Sequence, residues 1–114
     1  YVNGNGERGE TSAIDFMKKY ADKMAYLHFK NVDFDVFRTV REQNLDSDTA
    51  FDRDVMCDLR DGIIDFNALR DTIEAIGFEG IGVIEQDMPR ATTEQAFAAA
   101  RRNLDYLREI HLID

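Results

Sequence analysis

Two short apolar runs, separated by amphipathic helical patterns, constrain the fold of this chain more than any other feature. The first covers residues 24–29 and the second residues 81–84, and both are too short to be read as helices. Such runs are typical of strands buried on both faces of a parallel sheet. Strands that alternate with amphipathic helices predict parallel βαβ units with right-handed crossovers, that is, an α/β fold.

The first predicted helix spans about residues 11–22, with Thr11 and Ser12 as candidate N-caps. Residues 30–64 follow the first strand and form a long irregular stretch rich in Asp, Asn and Arg, of which residues 34–43 could form a short helix. A loop of this length in a compact domain is usually functional.

Two further helices complete the pattern. Asp65 caps the second helix and Gly77 ends it, and Thr92 with Gln95 forms a capping box for the third. The predicted buried stripe of the third helix consists of Phe97, Ala100, Leu104, Leu107 and His111. Only two strands are evident, so both sheet edges would stay unpaired. We therefore expect the chain to be part of a larger sheet or barrel, and expect self-association through the uncovered edges.

Charge and cysteine content exclude several classes of protein. The 114 residues carry a net charge of −9, without a cluster of Lys or Arg, so nucleic acid and anionic membrane surfaces are not expected partners. No apolar run approaches the roughly 18 residues that span a bilayer. The single cysteine, Cys57, cannot form an intramolecular disulfide, which predicts a cytoplasmic location. We interpret Cys57 as a buried or half-buried structural thiol rather than a nucleophile.

Polar side chains follow both predicted strands. Because side chains alternate along a strand, His28 and Lys30 should point the same way, as should Glu85 and Asp87. Adjacent parallel strands would bring His28 and Glu85 within reach of one divalent ion. A hydrogen-bonded structural histidine and a solvated carboxylate remain alternative interpretations. Two ligands are also fewer than the three or four that a catalytic metal site usually takes from the protein.

Three motifs in order resemble the sugar phosphate isomerase/epimerase family of xylose isomerase-like TIM barrels. They are HFKNVD at residues 28–33, DGIIDF at residues 61–66, and GFEG followed by VIEQD within residues 77–87. The Gln86 and Asp87 that follow the glutamate are most similar to the inosose dehydratase-like branch of that family.

The resemblance implies that residues 1–114 are the C-terminal portion of a (β/α)8 barrel, with about strands 7 and 8 and the last three helices. It implies that His28 is a metal ligand, that Glu85 is both a metal ligand and the proton-transferring base, and that Lys30 approaches the substrate. The implied cofactor of the intact parent enzyme is a divalent metal (Mn, Co, Mg or Zn), which the portion alone need not bind. The implied substrate is a small sugar or polyol.

The implied reaction is metal-assisted proton abstraction next to a carbonyl, which leads to isomerisation, epimerisation or loss of water. We expect the isolated chain to be inactive, because the remaining metal ligands of the family lie on earlier strands. Two alternatives stay open: a non-catalytic, self-associating fragment, and an apurinic endonuclease-like barrel. The net charge of −9 argues against the latter.

Overall fold

The computed structural model describes residues 13–114, which form a mixed α/β arrangement; the predicted N-caps Thr11 and Ser12 lie outside this range. Within it are five α-helices and four short strands. In chain order the elements are α1 (Ala13–Lys19), a 3₁₀ turn (Ala21–Lys23), β1 (Tyr26–Phe29), β2 (Asn31–Val32), α2 (Phe34–Glu42), α3 (Ser47–Asp52), β3 (Met56–Cys57), α4 (Phe66–Ala75), β4 (Ile81–Ile84) and α5 (Thr93–Glu109).

The two predicted strands are parallel neighbours. Strand β1 pairs with β4 in a register that places Tyr26 beside Ile81 and Phe29 beside Ile84. The pairing continues one residue further, since the Glu85 N–H donates to the Phe29 carbonyl at 2.9 Å. Helix α4 lies on the connection between the two strands, so the predicted parallel βαβ unit is confirmed.

The prediction that both strands are buried on both faces is wrong. Phe29 is buried, but Tyr26 is 62% exposed, and on β4 Ile81 is 70% exposed and Val83 40% exposed. The cause is the one-sided packing of the sheet. Helices α4 and α5 supply core residues against one face, whereas no element within residues 13–114 covers the other face.

The core lies between the covered face of the sheet and helices α4 and α5. Phe66 is 1% exposed, and its ring meets Phe29 edge-on at a centroid distance of 5.9 Å and Tyr106 at 6.3 Å. Leu59 and Leu107, each 1% exposed, complete its most buried part. Aromatic pairs in this edge-to-face arrangement add stabilisation beyond the area they bury.

The predicted stripe of α5 differs from the observed one. Phe97 is 74% exposed, Ala100 and His111 are also exposed, and Leu104 is only half-buried; Leu107 alone is fully buried. The face that packs inward carries Ala99, Asn103, Tyr106, Leu107 and Ile110. The buried face therefore includes a polar residue, Asn103, which an apolar pattern cannot reveal.

The stretch 30–64 is more regular than predicted. The expected helix within residues 34–43 is confirmed as α2, and Asp33 caps it by accepting from the Val36 N–H at 2.9 Å. A second short helix, α3, and the antiparallel pair β2–β3 were not predicted. Strands of two residues carry too little sequence pattern to be recognised, which explains the miss.

The predicted helix boundaries around α4 and α5 are confirmed. Asp65 caps α4 by accepting from the backbone N–H groups of Asn67 and Ala68, and Gly77 follows the helix with φ of 63°. Thr92 and Gln95 form the capping box of α5. No helix within residues 13–114 is long and apolar enough to cross a membrane.

Candidate active site

The candidate site lies where the carboxyl ends of β1 and β4 meet. Lys30 follows the last residue of β1, and Glu85 follows the last residue of β4. In parallel α/β sheets, loops at this edge carry the functional groups. The parallel register therefore brings these two side chains to the same end of the sheet, where both strands finish. They lie on the face of the sheet that the helices leave bare.

Four of the predicted polar side chains form one connected cluster. His28 Nδ1 lies 2.6 Å from Glu85 Oε2, and Lys30 Nζ donates to Glu85 Oε1 at 2.6 Å. The same ammonium also lies 2.5 Å from Asp87 Oδ2. The predicted common direction of His28 with Lys30, and of Glu85 with Asp87, is thus confirmed.

The contacts within the cluster shift the pKa values of Glu85 and Lys30. The hydrogen bond from Lys30, followed by that from His28, lowers the pKa of Glu85. Burial by itself would lower the pKa of Lys30, but its hydrogen bonds to Asp87 and Glu85 outweigh burial and raise it. The contacts therefore favour the charged forms of both Lys30 and Glu85.

The donor chemistry of the cluster suits a divalent transition metal, but its donor count is too small. An imidazole and a carboxylate are suitable ligands, and His28 and Glu85 supply one each. Within residues 13–114 there is no group of three or more His, Cys, Asp or Glu side chains placed to hold a metal ion. A metal centre at this position would need further ligands from outside the described residues.

A cavity of about 600 Å³ opens beside β1. Tyr26, His28 and Lys30 line it from the strand, and Phe16 and Met17 line it from α1. The candidate site is therefore accessible from the side of β1 that does not pair with β4.

Sequence reasoning missed the buried polar residues beneath the site. Asn31 is completely buried, and a methyl group at Gly62 would lie 2.1 Å from the Asn31 Cγ, so the backbone approaches this side chain closely. Asn103 is 1% exposed and donates to Gln86 at 2.8 Å. The one available signal was position, because Asn31 directly follows Lys30 and Gln86 directly follows Glu85.

Cys57 stands apart from the cluster. Its side chain is half-buried, as predicted, and it is not disulfide-bonded. Burial, followed by the negative charges of Asp33, Asp61 and Asp58, raises the pKa of the thiol to about 11. A thiol that remains protonated at neutral pH is a poor nucleophile, which agrees with a structural role.

Comparison with known proteins gives two distant curated relatives. The chain is 28% identical over 112 residues to an inosose dehydratase of Geobacillus kaustophilus (strain HTA426). The aligned region covers 97% of this chain and 36% of the relative. It is 29% identical over 96 residues to an inosose dehydratase of Geobacillus thermodenitrificans (strain NG80-2). That aligned region covers 84% of this chain and 32% of the relative. No protein-family model matches the chain. No solved structure matches it with significance.

Both relatives are named inosose dehydratases, and Gln86 and Asp87 after Glu85 resemble the inosose dehydratase-like branch. The chain spans about a third of the length of the curated relatives it matches. A mixed α/β arrangement with few strands, matched to one third of a longer protein, is consistent with a portion of a larger barrel.

Proposed function

We propose that residues 1–114 form the C-terminal portion of a xylose isomerase-like (β/α)8 barrel whose intact form is a metal-dependent, sugar-modifying enzyme. The reaction is dehydration, isomerisation or epimerisation of a sugar or polyol that carries a carbonyl group. The cluster of His28, Lys30 and Glu85 at the ends of two parallel strands is the observation that carries this proposal. Of these three reactions, the similarity to two inosose dehydratases favours dehydration, that is, loss of water from a polyol ketone.

The bare face of the sheet supports the barrel. Tyr26, Ile81 and Val83 are exposed apolar residues on the same face as the polar cluster. In a (β/α)8 barrel, helices cover the outer face of each strand, while inward side chains pack against those of the other strands. The helix-covered and bare faces of β1 and β4 match that outer and inner division.

Glu85 is the proposed base. Lys30 and His28 keep it ionised, so it can accept a proton from the carbon next to a carbonyl. As Glu85 takes the proton it becomes neutral, and Lys30 retains a charge partner in Asp87. Lys30 can then turn its remaining N–H groups toward a substrate hydroxyl.

His28 and Glu85 are this chain's proposed metal ligands. A divalent metal ion (Mn, Co, Mg or Zn), when bound, polarises the carbonyl and hydroxyl oxygens of the substrate and so acidifies the neighbouring C–H bond. His28 orients Glu85 through the contact between its Nδ1 and Glu85 Oε2. This contact leaves the other ring nitrogen, Nε2, for a second partner.

The proposal is tested on the intact protein that carries these residues. Purified protein is incubated with inosose in the presence of Mn²⁺, and the product is followed by mass spectrometry for loss of one water. Glu85→Gln should abolish turnover, whereas Glu79→Gln, at an exposed position, should leave it unchanged. Equal activity in wild type and Glu85→Gln would rule out Glu85 as the base.

A non-catalytic, self-associating form is the second candidate for the chain in isolation. The exposed Tyr26 and Ile81 are the specific observation in its favour, since large apolar side chains on a sheet face favour association. In this interpretation the isolated chain binds a second copy of itself and has no turnover.

A cytoplasmic location stays a prediction from the single cysteine.

A further inference from the structure

The backbone of Leu59 is held on both sides by buried asparagines. The Leu59 N–H donates to Asn103 Oδ1 at 2.7 Å, and its carbonyl accepts from Asn31 Nδ2, also at 2.7 Å. Asn31 is 0% exposed and Asn103 is 1% exposed. Hydrogen bonds to buried backbone N–H and C=O groups fix the position of the backbone, because losing one leaves an unsatisfied group in a dry environment.

Each asparagine also continues to one of the two strand ends. Asn31 directly follows Lys30, and its Oδ1 accepts from the Val32 and Ile64 N–H groups at 3.0 Å. At the other end, Asn103 Nδ2 donates to Gln86 Oε1 at 2.8 Å. Within residues 13–114, no buried side-chain nitrogen or oxygen lacks a hydrogen-bond partner, so the buried polar atoms of both asparagine side chains are satisfied.

The result is a continuous path, which we call the amide path, of hydrogen bonds joined through the Leu59 backbone beneath the candidate site. It runs from Asn31 to Leu59, then to Asn103, and ends at Gln86. Gln86 lies between Glu85 and Asp87, the two carboxylates that share Lys30. Because side chains alternate in an extended segment, Gln86 points toward α5 while its two neighbours point toward Lys30.

We propose that Asn31 and Asn103 are positioning residues for the candidate site. They fix the two strand ends relative to each other through the amide path, so that the Lys30 ammonium meets both carboxylates. Neither side chain touches the cluster, so their action is indirect. The effect on catalysis rests on the proposed function, whereas the effect on geometry does not.

The test of geometry compares crystal structures of the intact protein and its variants. In Asn103→Leu, the Leu59 N–H and the Gln86 side chain lose their partner, and the distance from Lys30 Nζ to Glu85 Oε1 should increase from 2.6 Å to beyond hydrogen-bonding range. The control is Thr72→Val, which removes a buried hydroxyl that bonds only within α4, to the Ala68 carbonyl. An unchanged distance in Asn103→Leu would overturn the proposal.

A second pair of variants guards against failure of Asn103→Leu to fold. Gln86→Met removes the acceptor for Asn103 at a half-buried position, and Gln86→Glu retains an acceptor oxygen there. The cluster should be displaced in Gln86→Met and retained in Gln86→Glu. Retention in both variants, or displacement in both, would contradict a role of the amide path.

Turnover then separates the two proposals. Displacement of a catalytic group by about 1 Å reduces rates by roughly 100-fold, so kcat should decrease by about that factor in Gln86→Met, with a smaller change in KM. Displaced geometry without turnover in the wild-type protein would reject the proposed function and keep the positioning role. Displaced geometry with unchanged kcat would reject the catalytic consequence of positioning.

Discussion

Lys30 Nζ lies 2.6 Å from Glu85 Oε1, although 55 positions separate the two residues in the sequence. The parallel pairing of β1 with β4 makes the contact, because both residues follow directly after their strands. A second carboxylate, Asp87, lies 2.5 Å from the same ammonium. The arrangement places one cation between two anions at the edge of the sheet where α/β enzymes carry their chemistry.

The first prediction concerns the titration of Glu85. Lys30→Met removes the main cause of its lowered pKa, so the pKa of Glu85 should rise toward the ordinary range of a glutamate. ¹³C NMR of the side-chain carboxyl groups measures the change. Lys23→Met is the control, because Lys23 contacts Asp22 instead. An unchanged Glu85 midpoint in Lys30→Met would contradict the contact.

The sign of the stability effect follows from the same shifts. The pKa of Glu85 is lowered in the folded state, so its contribution is present above its unfolded pKa and is lost as the pH falls below about 4. The pKa of Lys30 is raised, so its contribution is present below its unfolded pKa and is lost as the pH rises above about 10. In Lys30→Met, both pH-dependent losses should be smaller than in the wild type.

The second prediction concerns the core. Phe66→Ala should lower the free energy of unfolding by about 3–5 kcal/mol, because the ring is 1% exposed and packs between two other aromatic rings. Phe97→Ala removes an identical side chain that is 74% exposed, and should change the free energy by less than about 0.5 kcal/mol. Urea denaturation measures both. An equal loss of unfolding free energy in both variants would mean that Phe97 is also packed in the core, against its observed exposure.

The sequence predicts the elements whose chemistry is local. Asp65 and Thr92 are identifiable as helix caps because a cap needs only a side-chain oxygen and the next few N–H groups. The alignment of Lys30 and Glu85 is also predictable, because strand alternation and parallel pairing fix it.

Burial depends on partners that the local sequence does not contain. Tyr26 and Ile81 belong to apolar runs, yet they are exposed because no described element covers that face of the sheet. The inward position of Asn103 could not be predicted either. Its burial is compensated by hydrogen bonds with Leu59 and Gln86, which are 44 and 17 positions away. A pattern of apolar residues does not predict such long-range hydrogen bonds.

The third prediction concerns association of the isolated chain. The bare sheet face should drive self-association, which sedimentation equilibrium at several concentrations detects. Ile81→Lys places a charge on this face and should shift the equilibrium toward monomer. Phe97→Lys, on helix α5 rather than on the sheet, should leave it unchanged. A wild-type chain that stays monomeric at all concentrations would contradict this prediction.

The fourth prediction concerns Cys57. Because the pKa of its thiol is raised to about 11, iodoacetamide at pH 8 should alkylate it roughly 100-fold more slowly in the folded chain than in urea. Mass spectrometry of timed samples measures both rates, and a small cysteine-containing peptide in each solution corrects for the effect of urea on the reagent. Similar corrected rates in the two states would show that the thiol is accessible and ionised, against a structural role.

The central claim, that Glu85 moves a proton next to a carbonyl, is tested most directly by solvent exchange. The intact protein is incubated with inosose and Mn²⁺ in D₂O, and ¹H NMR follows the signal of the hydrogen on the carbon beside the ketone. We predict enzyme-dependent loss of that signal in the wild type and in Glu79→Gln, and a rate at the enzyme-free background in Glu85→Gln. Exchange in Glu85→Gln at the wild-type rate would contradict the account.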